Sequence, residues 1–220
     1  MSNTDESIFR EVDEEVRQDE YKKIWDRYGK YFTAAGIVLV AVVAGFQGWR
    51  YYQVKQAEDA GAVYFSAVKK ATDGKTDDAL SAFAAVKHQG FGQLAALQTA
   101  ALLASKGDTE KAVAAYDAFA ADATNDPALA DMARIKAGYL LVDSSTPDQL
   151  LTRLGKFDKD GAVWRLEARE IFGLSAWRVK DYTMADRYMN AIYTDAEATP
   201  TMRQRAQIML QLIAPNLAKK

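Results

Sequence analysis

From Tyr31 to Trp49 the chain reads YFTAAGIVLVAVVAGFQGW, a run with no Asp, Glu, Lys, Arg or His. Wound as an α-helix at about 1.5 Å per residue, nineteen residues extend roughly 28 Å, close to the ~30 Å hydrocarbon core of a bilayer. A buried core helix is the alternative, but core helices of small domains seldom stay apolar on every side for five turns. Aromatic residues mark both edges of the run: Trp25, Tyr28, Tyr31 and Phe32 at its start, Trp49, Tyr51 and Tyr52 at its end. Such rings settle where headgroups meet hydrocarbon. Val42-Val43-Ala44 resembles a signal-peptidase site, yet thirty mostly charged residues precede the run. A signal peptide has a short basic leader and an apolar stretch of about 7–15 residues. The sequence therefore predicts one uncleaved membrane-spanning helix.

That helix divides the chain into a charged head (1–30), an anchor (31–52) and a following domain (53–220). The head holds nine acids against Arg10, Arg17, Lys22, Lys23, Arg27 and Lys30. Orientation follows the flanking cations rather than net charge. Arg17, Lys22, Lys23, Arg27 and Lys30 lie just before the span, and only Arg50 and Lys55 lie just after it. This imbalance predicts a cytoplasmic N-terminus and a translocated C-terminal domain. Within the head, Ile8, Val12 and Val16 form a thin stripe, either a docking face or simply helix continuing from the membrane.

Composition removes much enzyme chemistry. There is no cysteine and a single histidine, His88, so thiolate catalysis, Cys-ligated metals and sites needing two imidazoles are excluded. Lys and Arg number 28 against 30 Asp and Glu, without the basic excess that nucleic acid requires. No phosphate loop, dinucleotide fingerprint, zinc-helix motif or nucleophile elbow is present. His88 lies just past a predicted helix end, and Asp77-Asp78 reads as helix-start charge beside the positive dipole end. The sequence offers no catalytic residues, no metal site, no cofactor and no small-molecule substrate.

Residues 53–220 read as helix throughout, rich in Ala, Leu, Gln, Glu, Lys and Arg and lacking hairpin turns. Asp126-Pro127, Thr146-Pro147 and Thr199-Pro200 each put a capping residue before proline at a first helical position. Gly90-Phe91-Gly92 reads as an inter-repeat loop, and Pro215 is expected to close the last helix. An internal repeat is visible. Gly74-Lys-Thr-Asp-Asp-Ala79-Leu-Ser-Ala-Phe83 aligns with Gly107-Asp-Thr-Glu-Lys-Ala112-Val-Ala-Ala-Tyr116 and with Lys180-Asp-Tyr-Thr-Met-Ala185-Asp-Arg-Tyr-Met189. Each has a turn residue, a polar stretch, a small Ala and, one helical turn later, a bulky residue. The Ala admits a neighbouring helix and the bulky group fills the adjoining gap. Gly173, in the helix before the third copy, is a second close-contact point. Leu150 and Leu154 occupy the Ala and bulky places of a divergent unit within residues 127–155. The alternative is an unrelated helical bundle with chance alanine spacing.

The pattern resembles the tetratricopeptide repeat, a helix–turn–helix of about 34 residues. A charged head containing IFREVDEEVRQDEYKKIWDRYGKY, one span and degenerate repeats together resemble the bacterial membrane-anchored family of ancillary SecYEG translocon subunits, in its alphaproteobacterial branch. The resemblance implies an all-α chain, a single N-terminal transmembrane helix followed by a tetratricopeptide-like α-solenoid in the periplasm. It implies a non-enzymatic inner-membrane adaptor whose partners are the SecYEG translocon, periplasmic chaperones or exported chains. A cell-envelope coordinator, binding a division or wall-synthesis factor, is the other reading.

Two surfaces are candidates for binding. The first helix of each pair lines the inner face in this family, and on the third copy that face holds Glu167, Glu170, Leu174, Trp177 and Arg178. Trp and Arg are frequent interface anchors, although a core position is the stronger reading of Trp177. In the span, Ala34, Ala41, Gly45 and Gly48 fall near one face, where another membrane helix could pack closely.

Overall fold

The computed structural model describes residues 3–217, with side chains from Lys22 onward, Ile24 excepted. Among the described residues every regular element is helical: α1 (Asn3–Thr72), α2 (Thr76–Ala84), α3 (Gln89–Ser105), α4 (Thr109–Ala121), α5 (Pro127–Leu141), α6 (Pro147–Leu154), α7 (Arg165–Arg178), α8 (Tyr182–Tyr193) and α9 (Pro200–Leu217). A 3-10 turn, Gly155–Phe157, continues α6. The chain divides into two units, Met1–Glu58 and Asp59–Lys220.

The first unit contains most of α1. Its apolar stretch is long and apolar enough to cross a membrane, and none of that stretch is buried by the rest of the chain. Ile37, Val40 and Phe46 are fully available to an apolar surround, as a lipid-facing helix requires. The side chains of Ile8, Val12 and Val16 lie outside the described residues.

The second unit is a stack of helix pairs. The end of α1 pairs with α2, α3 with α4, α5 with α6 and α7 with α8, and α9 closes the stack. The predicted caps form. Asp126 accepts the Ala128 and Leu129 N–H groups at 2.8 and 3.2 Å. Thr146 and Gln149 make a reciprocal capping box, and the Thr199 hydroxyl accepts from Met202 N–H. Gly74, Gly107 and Lys180 all have positive φ, at 77°, 87° and 66°. At each of these turns the following N–H donates back across the helix end: Lys75 to Lys70, Asp108 to Leu103 and Asp181 to Ala176. The same left-handed closure thus ends three first helices.

Inside each pair one relation recurs. Ala79, Ala112, Leu150 and Ala185 are fully buried in the second helices, and Phe83, Tyr116, Leu154 and Met189 are buried one turn later. Sixteen residues before each bulky group stands a small one in the first helix: Ala67, Ala100, Gly138 and Gly173. All four are buried. A Cβ on Gly138 would stand 2.5 Å from Leu154 Cδ1, and one on Gly173 would stand 2.6 Å from Met189 Cε. Four linked apolar clusters result, each shared between neighbouring pairs, the quasi-one-dimensional organisation of a solenoid.

Two expectations are corrected. Pro215 lies inside α9, which runs on to Leu217; a proline so near the end removes one backbone hydrogen bond without stopping the helix. Gly90-Phe91-Gly92 is the first turn of α3 rather than a loop. His88 caps that turn, its Nδ1 accepting from Phe91 N–H at 3.4 Å. The residue thus serves the start of α3.

Candidate partner-binding surface

Glu170, Leu174 and Trp177 recur at i, i+4 and i+7 along one face of α7, and the structure gives each a different task. The Glu170 carboxylate is buried. It accepts Nε and Nη2 of Arg205 in α9 at 2.7 and 2.9 Å, and the Tyr139 hydroxyl of α5 at 2.7 Å. This forked pairing ties together the first helices of two pairs and the closing helix. Burial, reinforced by the neighbouring carboxylate of Glu170, pushes the Tyr139 hydroxyl far above the ordinary tyrosine range. Glu167 stands one turn earlier and is partly exposed.

Leu174 packs partly into the cluster shared by α7, α8 and α9. Trp177 is 40% exposed and so contributes apolar surface beyond the core. Arg178 is exposed along its length, but its guanidinium donates to the carbonyls of Val142, at 2.9 Å, and Ser145. Ser175 Oγ donates to the same Ser145 carbonyl at 3.2 Å. Arg178 therefore holds the α5–α6 turn against the end of α7.

One part of this surface is absent from the sequence reading. Ile208 and Leu212, one turn apart on α9, are each 51% exposed. Because α8 runs antiparallel to both neighbours, α7 and α9 point the same way. The Glu170–Arg205 pair fixes their level, so Leu174 and Trp177 advance along α7 as Ile208 and Leu212 advance along α9. The sequence signal was the i, i+3, i+7 spacing of Arg205, Ile208 and Leu212 in a helix read only as a terminator.

In the first unit, Ala34, Ala41, Gly45 and Gly48 remain open within this chain. Apart from the helix's own nearby backbone, no atom comes within 4 Å of where a Cβ would stand at Gly45 or Gly48. The absence of side chains there lets another helix approach. Ionisable groups elsewhere are used in structural networks. Arg165 pairs with Asp195 and Glu197, and Arg169 with Asp158 and Asp160. Among the described residues no three His, Asp or Glu side chains converge so as to hold a metal ion.

Comparison with known proteins agrees with this architecture. A family profile described as a tetratricopeptide repeat-like domain matches residues 22–210. The chain is 29% identical over 142 residues to the ancillary SecYEG translocon subunit of Escherichia coli strain K12, covering 64% of this chain and 68% of that protein. No solved structure matches it. The family match begins before the apolar stretch, runs through every helix pair and ends within α9, so the chain belongs to the tetratricopeptide repeat-like domain family.

Proposed function

We propose that this protein is a non-enzymatic adaptor of the SecYEG translocon, held in the bacterial inner membrane by residues 31–52. Its head (1–30) lies in the cytoplasm and its repeat domain (53–220) in the periplasm. The observation that carries this reading is the order of parts: one exposed apolar span joined to a helix-pair solenoid, in a chain similar to an ancillary translocon subunit. The five-to-two excess of cations before the span supports the orientation. Helix pairs without convergent catalytic groups support a role in binding, because a solenoid offers a long surface and no enclosed reaction site.

The division of labour follows. The span determines which membrane complex the protein joins, with Ala34, Ala41, Gly45 and Gly48 as its packing face. The repeat domain captures periplasmic chaperones or exported chains, with Leu174 and Trp177 as anchors and Glu170 and Arg178 fixing the helices that present them. Confinement to one membrane raises the effective concentration of the two partners, so a weak helix contact suffices. The test is to replace Tyr31–Trp49 by an unrelated spanning helix and measure co-purification with SecYEG from detergent-solubilised membranes. Loss of co-purification with an intact repeat domain supports the reading. Equal co-purification by residues 59–220 alone overturns it. Capture of a division or wall-synthesis factor instead of the translocon favours the envelope-coordinator reading.

A further inference from the structure

A cleft of about 620 Å³ opens between the ends of α2 and α4 over the first turns of α3. Its origin is a missing helical turn. Ala79 and Ala112 hold the same place in their helices, yet α2 ends five residues later at Ala84 while α4 continues nine residues to Ala121. The other short second helix, α6, is extended by its 3-10 turn, which buries Phe157. The four residues that lead from α2 to α3 bury Val86 but add no helical turn.

The lining is distinctive. Gly92, Ala96, Ala115 and Ala118 make walls that a backbone can approach, and Phe83 and Phe119 form an apolar bottom. Gln93 and Asn125 stand at the rim. Gln93 Oε1 accepts the Asp126 N–H at 3.1 Å, which directs its NH₂ group elsewhere. Asn125 Nδ2 donates to the Phe119 carbonyl at 2.9 Å, which leaves its carbonyl oxygen as an acceptor. Asp122, the only carboxylate in the lining, accepts both the N–H and the hydroxyl of Thr124. No Lys, Arg or His lines the cleft.

We propose that this cleft is a peptide-binding site, and that its occupant is an extended segment of a partner protein without acidic side chains. An apolar side chain enters toward Phe83 and Phe119, and the segment's backbone pairs with Gln93 and Asn125. Charge selects against acidic ligands, which would find no cation and would meet Asp122. Backbone chemistry selects against a helix, whose N–H and C=O groups are already paired and would leave the rim amides unanswered. An extended segment brings one free donor and one free acceptor per residue. The volume falls within the roughly 300–1,000 Å³ of ordinary ligand sites. The site shares no residue with the α7–α9 surface and does not depend on association with the translocon.

The test uses the full-length protein in detergent micelles and a fluorescein-labelled ten-residue peptide of Leu, Phe, Val, Ser and Asn, followed by anisotropy. A second peptide carries Asp at each Leu and Phe. Ala96→Trp and Ala118→Trp fill the cleft from exposed positions. Gln93→Glu keeps an acceptor for Asp126 while removing the rim donor. The uncharged peptide should bind saturably and the acidic one at least tenfold more weakly. Each of the three variants should lose at least tenfold in affinity with unchanged helical content, whereas Trp177→Ala should bind as wild type. Wild-type affinity in folded Ala96→Trp and Gln93→Glu proteins overturns the proposal, even if Ala118→Trp fails to fold. So does equal binding of the acidic peptide, or loss of binding only in Trp177→Ala.

Discussion

Gly173 of α7 and Met189 of α8 meet so closely that a Cβ on the glycine would stand 2.6 Å from the methionine methyl. The same interlock joins Gly138 to Leu154 at 2.5 Å, with Ile171 Cδ1 at 3.1 Å on the other side. The two contacts differ in how far they can yield. Met189 is unbranched and can swing its terminal methyl away, whereas Leu154 is branched, fully buried and backed by a second side chain. Replacing a helical glycine by alanine gains about 1 kcal/mol of propensity, and overpacking costs about 1–3 kcal/mol. Gly173→Ala should therefore be nearly neutral in the 59–220 fragment, and Gly138→Ala should destabilise it by about 1–2 kcal/mol. Urea unfolding measures both, and equal midpoints would refute the interlock.

Lys180 is the non-glycine residue with positive φ among the described residues. Its counterparts Gly74 and Gly107 make the same closure without steric cost. A left-handed non-glycine residue costs roughly 1–2 kcal/mol, partly offset because glycine frees the unfolded chain. Lys180→Gly should stabilise the domain by about 0.5–1 kcal/mol, and Gly107→Ala should destabilise it by about as much. A lower urea midpoint for Lys180→Gly would show that the lysine makes a compensating contact.

Tyr139 supplies the pH dependence. Burial, with the Glu170 carboxylate second, holds its hydroxyl above the unfolded value of about 10. A raised folded pKa means the native state keeps a proton that the unfolded chain releases. The associated stability is complete below pH 10 and declines as pH rises beyond it. Tyr139→Phe should lower stability at pH 7, where the 2.7 Å bond to Glu170 is lost, but should show a shallower decline between pH 10 and 11. The decline should persist in part, since burial also raises Tyr116 and Tyr188. Parallel pH profiles for variant and wild type would rule out this role.

Much of the fold was legible because its signals are local. The Asp-Pro and Thr-Pro caps and the Ala-to-bulky spacing each act within one turn or one pair, and each was readable from consecutive residues. Leu150 and Leu154 were placed correctly despite the missing alanine, because spacing survives a change of size. His88 was read against the helix before it, because a residue between two close helices can cap either, and only the geometry shows Phe91 N–H aimed at its ring. The candidate surface was less legible. Glu170 and Arg178 lie on α7 as expected from its helical pattern, but their partners, Arg205 and the Val142 and Ser145 carbonyls, are 33 to 36 residues away. No periodicity connects a side chain to a carbonyl on another repeat. The cleft beside α2 was equally hidden, since it arises from a turn that is absent.

That distinction decides which substitutions should affect binding and which should affect folding. Arg178 and Glu170 spend their charge inside the domain, so Arg178→Ala should lower the thermal midpoint of residues 59–220 more than it weakens any partner at saturating fold. Trp177 and Leu212 expose apolar surface that the core does not need. Truncating an interface anchor of this kind costs about 2 kcal/mol, roughly thirtyfold in Kd. Trp177→Ala combined with Leu212→Ser should therefore reduce capture of chaperones or exported chains at least thirtyfold while leaving the melting temperature within a few degrees and SecYEG co-purification intact. Quantitative crosslinking in membranes measures all three. Should Arg178→Ala weaken capture with no thermal shift, the arginine itself contacts the partner, and the carbonyl bonds seen here belong to the unbound state alone.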